Sequence, residues 1–292
     1  MFTGSWVAIV TPMRDDGSID LTAWDRLLDW HAAEGTSGIV VGGTTGESAT
    51  LTDDELHTLV RAAVARVGGR LRIIAGAGTP STAVTVERAR LLSALGVDGL
   101  LVVTPAYVKP TQEGLFRHYS AVAAASRVPV VLYNVPGRTG VDMLPATVAR
   151  LAAVPGIAAL KEAVAGAARV RELREAAPSV TVLSGDDPTA REAVLAGARG
   201  VISVTANVAP RLMAGMVTAA MAGDAATAAA LDDRLAGLNQ ALFVEPNPIP
   251  SKWALVRMGL MPGGIRLPLT PLTAAGEAPV LSAMRRAGIM PA

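Results

Sequence analysis

The chain has 292 residues, a length that fits one large α/β barrel or two ordinary domains. It is 51% hydrophobic and 17% charged, with a formal net charge of +1, so a large core is available and a basic footprint for nucleic acid is not. It has no cysteine, which excludes disulfides, thiolate metal sites and a thiol nucleophile.

Short apolar runs, rich in Val, Ile and Leu and not alternating, recur at residues 6–10, 38–41, 71–75, 99–103, 129–133, 156–160, 180–183 and 200–204. Such runs predict strands buried on both faces, as in a parallel sheet. Helical spacing fills the intervals at 21–34, 53–67, 81–95, 112–126, 144–154, 167–176, 188–196 and 210–222. Asp20 is placed to cap the first helix, and Thr52 precedes a second with acids in its first turn. Eight strand–helix units predict an α/β fold, a (β/α)8 TIM barrel. A doubly wound open sheet is the competing architecture. Its dinucleotide fingerprint is missing after the first strand, which ends in Thr11-Pro12-Met13.

Beyond about residue 224 the strand pattern stops. Residues 225–242, 251–258 and 278–287 have helical spacing, and 243–250 form a proline-rich, rigid loop. The expected division is a catalytic barrel over 1–224 and a C-terminal helical extension over 225–292, an appendix rather than a second catalytic domain. The first residues lack a basic leader, and no apolar run reaches the roughly 18 residues of a membrane span. A cytoplasmic protein without membrane contact is expected.

Barrel active sites lie at the C-terminal ends of the strands, so the residues that follow each run matter most. Lys161 follows Gly156-Ile157-Ala158-Ala159-Leu160 without a break. A lysine at a tightly packed barrel mouth is partly desolvated, which lowers its pKa and frees an amine to attack a carbonyl as an imine-forming nucleophile. The same lysine could instead pair with an acid or reach water. Tyr133 ends the neighbouring run and could shuttle protons for imine chemistry, or merely pack. Gly42-Gly43-Thr44-Thr45-Gly46-Glu47-Ser48 fits either a nest for a small carboxylate or an ordinary turn, and it lacks the lysine of a P-loop. Arg138, in the loop after Tyr133, could clamp a second carboxylate. His31, His57 and His118 fall in predicted helices, so no zinc site is expected at the mouth. Asp186-Asp187 form no convincing magnesium site.

Four motifs together resemble the dihydrodipicolinate synthase/N-acetylneuraminate lyase family. They are Gly43-Thr44-Thr45-Gly46-Glu47-Ser48, Tyr133-Asn134-Val135-Pro136-Gly137-Arg138-Thr139-Gly140, Lys161-Glu162-Ala163 and Ser184-Gly185-Asp186-Asp187. The likeness runs nearly end to end, from Met1-Phe2-Thr3-Gly4-Ser5 to Phe243-Val244-Glu245-Pro246-Asn247-Pro248-Ile249-Pro250 and Arg266-Leu267-Pro268-Leu269-Thr270. It implies a lyase of the class I aldolase type in the diaminopimelate route of lysine biosynthesis. Such an enzyme condenses pyruvate with L-aspartate 4-semialdehyde. No cofactor is implied beyond a covalent pyruvate imine on Lys161.

The resemblance assigns Tyr133, Thr44 and Tyr107 to the proton relay, with Tyr107 donated across a tight dimer. Thr45, Gly185 and the main chain of Ile202 would hold pyruvate, and Arg138 the semialdehyde carboxylate. A homotetramer built as a dimer of dimers is implied. Lysine-inhibited relatives line their allosteric site with two histidines, an asparagine and a glutamate, where this chain has Asp53, Leu56, Pro80 and Val84. Ala106 replaces the aromatic that commonly precedes Tyr107, while Ser48 and Ala49 remain. Weak or absent inhibition by lysine is expected. Sugar-acid lyases of the same superfamily share the tyrosine and lysine; paired Thr44-Thr45 and Arg138 favour the small acid aldehyde. A non-catalytic barrel should have lost Lys161 or its relay, and both are present.

Overall fold

In the computed structural model, which describes residues 2–290, the parallel strands close on themselves in chain order. They are β1 (Gly4–Ala8), β2 (Gly38–Val41), β3 (Arg72–Gly76), β4 (Gly99–Val103), β5 (Val130–Asn134), β6 (Ile157–Glu162), β7 (Thr181–Ser184) and β8 (Gly200–Ser203). β8 pairs with β1, so no sheet edge is left open. The architecture is the (β/α)8 barrel that the eight apolar runs predict. Met1 and residues 291–292, the outer ends of the two expected regions, lie outside the described residues.

The outer layer contains α1 (Leu21–Ala33), α2 (Asp53–Val67), α3 (Thr82–Leu92), α4 (Gln112–Ala125), α5 (Pro136–Thr139), α6 (Pro145–Leu151), α7 (Ala167–Ala176), α8 (Ala190–Leu195) and α9 (Pro210–Met221). Local chemistry sets their starts. Asp20 accepts from the N–H groups of Thr22 and Ala23, both at 3.0 Å, and so caps α1. Thr52 and Glu55 form a reciprocal capping box at the start of α2. Pro210 opens α9, where its missing N–H costs nothing. α10 (Ala225–Ala241), α11 (Ile249–Arg257) and α12 (Ala274–Arg286) follow the barrel. None of the described helices is long and apolar enough to cross a membrane.

Several boundaries depart from the expected ones, and β1, expected over 6–10, runs from Gly4 to Ala8. β5 and β6 run on to Asn134 and Glu162 because their ladder continues through the pairs Tyr133 with Lys161 and Asn134 with Glu162. Lys161 is therefore a strand residue rather than the first residue after a strand. The segment after Tyr133, expected as a loop, contains the helical turn α5, with Pro136 at its first position. α11 starts at Ile249 because Pro250 is tolerated in a first turn. α12 starts at Ala274 and carries Pro279 inside it.

Alternation along the strands sorts the core into two regions. Trp6, Val40, Ile74, Leu101, Val131, Ala159, Leu183 and Ile202 point inward and fill the barrel beneath its mouth. Phe2 packs with them, its ring centroid 5.8 Å from that of Trp6. Gly38 makes room for the Trp6 indole, since a Cβ there would lie 2.5 Å from the ring. The residues between these, such as Val7, Ile39, Ile73, Leu100 and Leu132, point outward and pack under the helices. The same alternation decides the site: Tyr133 and Lys161 point into the barrel, and Asn134 and Glu162 point away from it.

Candidate active site

A cavity of about 160 Å³ opens at the C-terminal ends of the strands. Its wall includes Thr44, Thr45, Tyr133, Arg138, Lys161 and Gly185, drawn from four different strand ends, together with Phe243 and Asn247 from beyond α10. Thr44 and Tyr133 also line a smaller gap of about 30 Å³ beside Gly42, Gly76 and Gly78.

Lys161 is only 4% exposed, and its Nζ lies 4.4 Å from the centroid of the Tyr133 ring. The two residues are direct neighbours in the β5–β6 ladder, so the sheet itself sets their approach. Among the described residues Lys161 forms no ion pair, in contrast to Lys252, whose amine bonds Glu47 at 2.5 Å. Gly185 packs against the lysine stem. A Cβ there would fall 2.9 Å from Lys161 Cε, so a larger residue would displace the amine.

The turn after β2 is built as an acceptor of anions. The N–H groups of Gly46 and Ser48 donate to the Gly43 carbonyl, at 3.0 and 3.3 Å, and that of Glu47 to the Thr44 carbonyl at 3.1 Å. Those of Thr44 and Thr45 donate to no acceptor among the described residues. Two adjacent free N–H groups beside Lys161 suit a small carboxylate. The Thr45 hydroxyl accepts a bond from Asn247 Nδ2 at 2.9 Å, which fixes the turn from the C-terminal side. Arg138 lies on α5 at the rim, exposed and without an ion pair among the described residues.

Two expected residues are placed differently. Tyr107 does not close a strand. It lies four residues past β4, is 93% exposed, and lines neither cavity. Its backbone is held at φ +72°, with its N–H donating to the Thr139 carbonyl at 3.3 Å. Ile202 belongs to the packed layer below the cavity, and Val204, two residues on, lines it instead.

A buried polar layer stands behind the strands. Asn134 Nδ2 donates to both Glu162 oxygens, at 3.0 and 3.1 Å, and to Asp142 at 2.7 Å. Arg169 bridges Glu162 and Asp142 at 3.1 and 2.7 Å. Burial pushes the Glu162 carboxyl up, opposed by the Val164 N–H, Asn134 and Arg169. Sequence reading found neither this layer nor Asn247. Asn134 and Glu162 flank the recognised residues, and Asn247 lies in the proline-rich loop, but their partners are far away in the chain. The histidines are helical, as expected: His31 bonds Thr36 and His118 bonds Thr82, at 3.0 and 2.9 Å.

The dihydrodipicolinate synthetase family model matches residues 1–286. The chain belongs to this family. It is 54% identical over 291 residues to the 4-hydroxy-tetrahydrodipicolinate synthase of Methylococcus capsulatus, covering 99% of this chain and 100% of the relative. Identity to the enzyme of the same name from Laribacter hongkongensis is 53%, with the same coverage. A solved structure of the chloride-inhibited dihydrodipicolinate synthase from Acinetobacter baumannii, complexed with pyruvate, superposes with a TM-score of 0.98. That chain is 46% identical, and the match covers 99% of this chain and 100% of the other. Within this family the site described above is a mouth cavity with a free lysine at its wall.

Proposed function

We propose that Lys161 is the nucleophile by which this enzyme performs the reaction its relatives are named for, 4-hydroxy-tetrahydrodipicolinate synthesis. The observation that carries this reading is a buried amine with no ion-pair partner, held against Tyr133 and next to the free N–H groups of Thr44 and Thr45. The pyruvate carboxylate occupies the turn at Thr44 and Thr45, which aims its ketone carbon at Nζ. The amine nitrogen adds to that carbon, and loss of water gives the imine. Loss of a methyl proton then gives an enamine. Its carbon attacks the aldehyde of L-aspartate 4-semialdehyde, forming the new C–C bond, and the oxygen so formed takes up a proton. The semialdehyde amine next attacks the imine carbon. The ring closes, and the bond to Lys161 breaks as its nitrogen regains a proton.

Each step moves a proton, and Tyr133 is the relay group within the subunit, with Thr44 beside it. Arg138 meets the semialdehyde carboxylate at the rim, where a guanidinium gives two parallel hydrogen bonds. Gly185 leaves space for the lysine, and the main chain from Ile202 to Val204 closes the far side of the pyruvate site. Tyr107 completes the relay of a second copy of the chain in a tight dimer, with two such dimers forming a tetramer. The scheme uses no metal or external cofactor. The barrel, 1–224, supplies the reacting groups, and the helical extension, 225–292, supports the mouth through Asn247 and Phe243.

Incubation with pyruvate and borohydride, followed by peptide mass mapping, tests the nucleophile. The expected result is a reduced pyruvate adduct on the peptide containing Lys161. An adduct on another lysine, or none, overturns the mechanism.

A further inference from the structure

Asp187 is a buried carboxylate that the scheme above does not use. It is 3% exposed and lies two residues beyond Gly185. Its Oδ2 accepts the N–H groups of Val204 and Thr205, at 2.9 and 2.8 Å, where the chain leaves β8. Its Oδ1 is buried without a hydrogen-bond partner. The residue is itself anchored: Asn239 of α10 donates to its carbonyl at 3.3 Å, and Asp186 turns the preceding chain by accepting from the Thr189 hydroxyl at 2.6 Å. A fully paired structural aspartate would have both oxygens bonded, because an unpaired buried acceptor costs stability.

The location explains the arrangement. Val204 lines the cavity, and Gly185 packs on the Lys161 stem, so Asp187 ties the end of β7, next to the strand of the amine, to the end of β8. Burial pushes its carboxyl up, opposed first by the neighbouring Ser203 hydroxyl, then by the main-chain N–H groups of Thr205 and Val204 and by the Lys161 charge. During the reaction Lys161 passes through cationic forms, the protonated amine and the iminium. No carboxylate is in direct ion-pair contact with it among the described residues.

We propose that Asp187 is a positioning residue for the imine steps: it fixes the main chain at Val204 and Thr205 against the bound pyruvate, and its negative charge balances the cation formed at Lys161. The inference rests on the imine reading given above. A fixed charge near a reacting cation acts strongly where water is excluded.

Full-length D187N and D187A, checked for native circular dichroism, test this. Asparagine keeps an oxygen that can accept both N–H groups and removes only the charge. D187N is expected to keep the wild-type KM for pyruvate while its kcat and its rate of borohydride trapping fall roughly tenfold or more. D187A loses the acceptor as well, so its KM for pyruvate rises in addition. A D187N enzyme with wild-type kcat and trapping rate overturns the proposal, as does one that changes KM alone. If neither variant folds, N239A loosens Asp187 without touching its carboxylate: slower trapping supports the proposal and unchanged trapping overturns it. Absence of a wild-type adduct on Lys161 defeats the imine reading itself. A normal wild-type adduct with an unaffected D187N defeats only the role of Asp187.

Discussion

At the scale of single residues, the site separates chemistry from binding. K161A removes the one lysine among the described residues lining the mouth cavity, so kcat is expected to fall by about 10³-fold or more while circular dichroism stays native. Y133F keeps the ring against the lysine but removes the phenol proton. Stopped-flow or steady-state rates should show kcat lowered by about 10²-fold or more. A Y133F enzyme with normal turnover would exclude the phenol from the relay. R138A should instead raise the KM for aspartate semialdehyde, by roughly tenfold or more, and leave the KM for pyruvate alone. These three residues were legible in the sequence because each ends or follows an apolar run that a barrel places at its mouth. Asp187 was visible only as one of two adjacent acids. What distinguishes it is a pair of N–H donors 17 and 18 residues away, and no local pattern encodes that contact.

Between elements, ion pairs fasten the C-terminal region to the front of the barrel. Lys252 of α11 bonds Glu47, with both side chains at most 4% exposed. Removing one partner leaves the other charge buried and unpaired. K252M is therefore expected to lose about 3–5 kcal/mol in urea unfolding, and the double variant K252M/E47L to recover part of it. Arg266 binds both oxygens of Glu55, at 2.5 and 2.8 Å, and holds its carboxyl at about 2 against a usual 4.5. Because the folded value is depressed, this stabilisation is full above about 4.5 and is lost as the pH falls toward about 2. The stability gap between wild type and E55Q should shrink over that window and vanish at its lower end. Strands and most helices could be read from periodicity and caps, whereas these fasteners join residues up to 211 positions apart. The extension beyond α9 could be predicted as helical. Its reach into the cavity, through Asn247 onto Thr45 across 202 positions, could not.

At the scale of the whole molecule, Tyr107 is the residue that the single chain leaves without a use. It is 93% exposed on a backbone at φ +72°, as the proposed donation into another copy requires. Sedimentation should show at least a dimer, and specific activity should fall on dilution below its dissociation constant. A fully active monomer would rule out donation across the interface. Regulation is expected to differ from that of lysine-inhibited relatives. Asp53 is engaged by Arg88 at 2.7 Å, and Val84 is an exposed apolar side chain. Steady-state rates should stay near the uninhibited value in millimolar L-lysine, and strong inhibition at submillimolar lysine would contradict this.

The contacts from Asn247, Lys252 and Arg266 onto the turn after β2 also set an order of events during synthesis. A ribosome that has finished all eight strands has produced Lys161, Tyr133 and the threonine turn, yet none of the three clamps on that turn has been translated. The turn after β2 gains its last clamp only when residue 266 has been made. A nascent chain stopped between the end of β8 and that residue would carry its nucleophile with an unfastened turn beside it, so premature termination between residues 203 and 266 is expected to yield all eight strands and a poor enzyme.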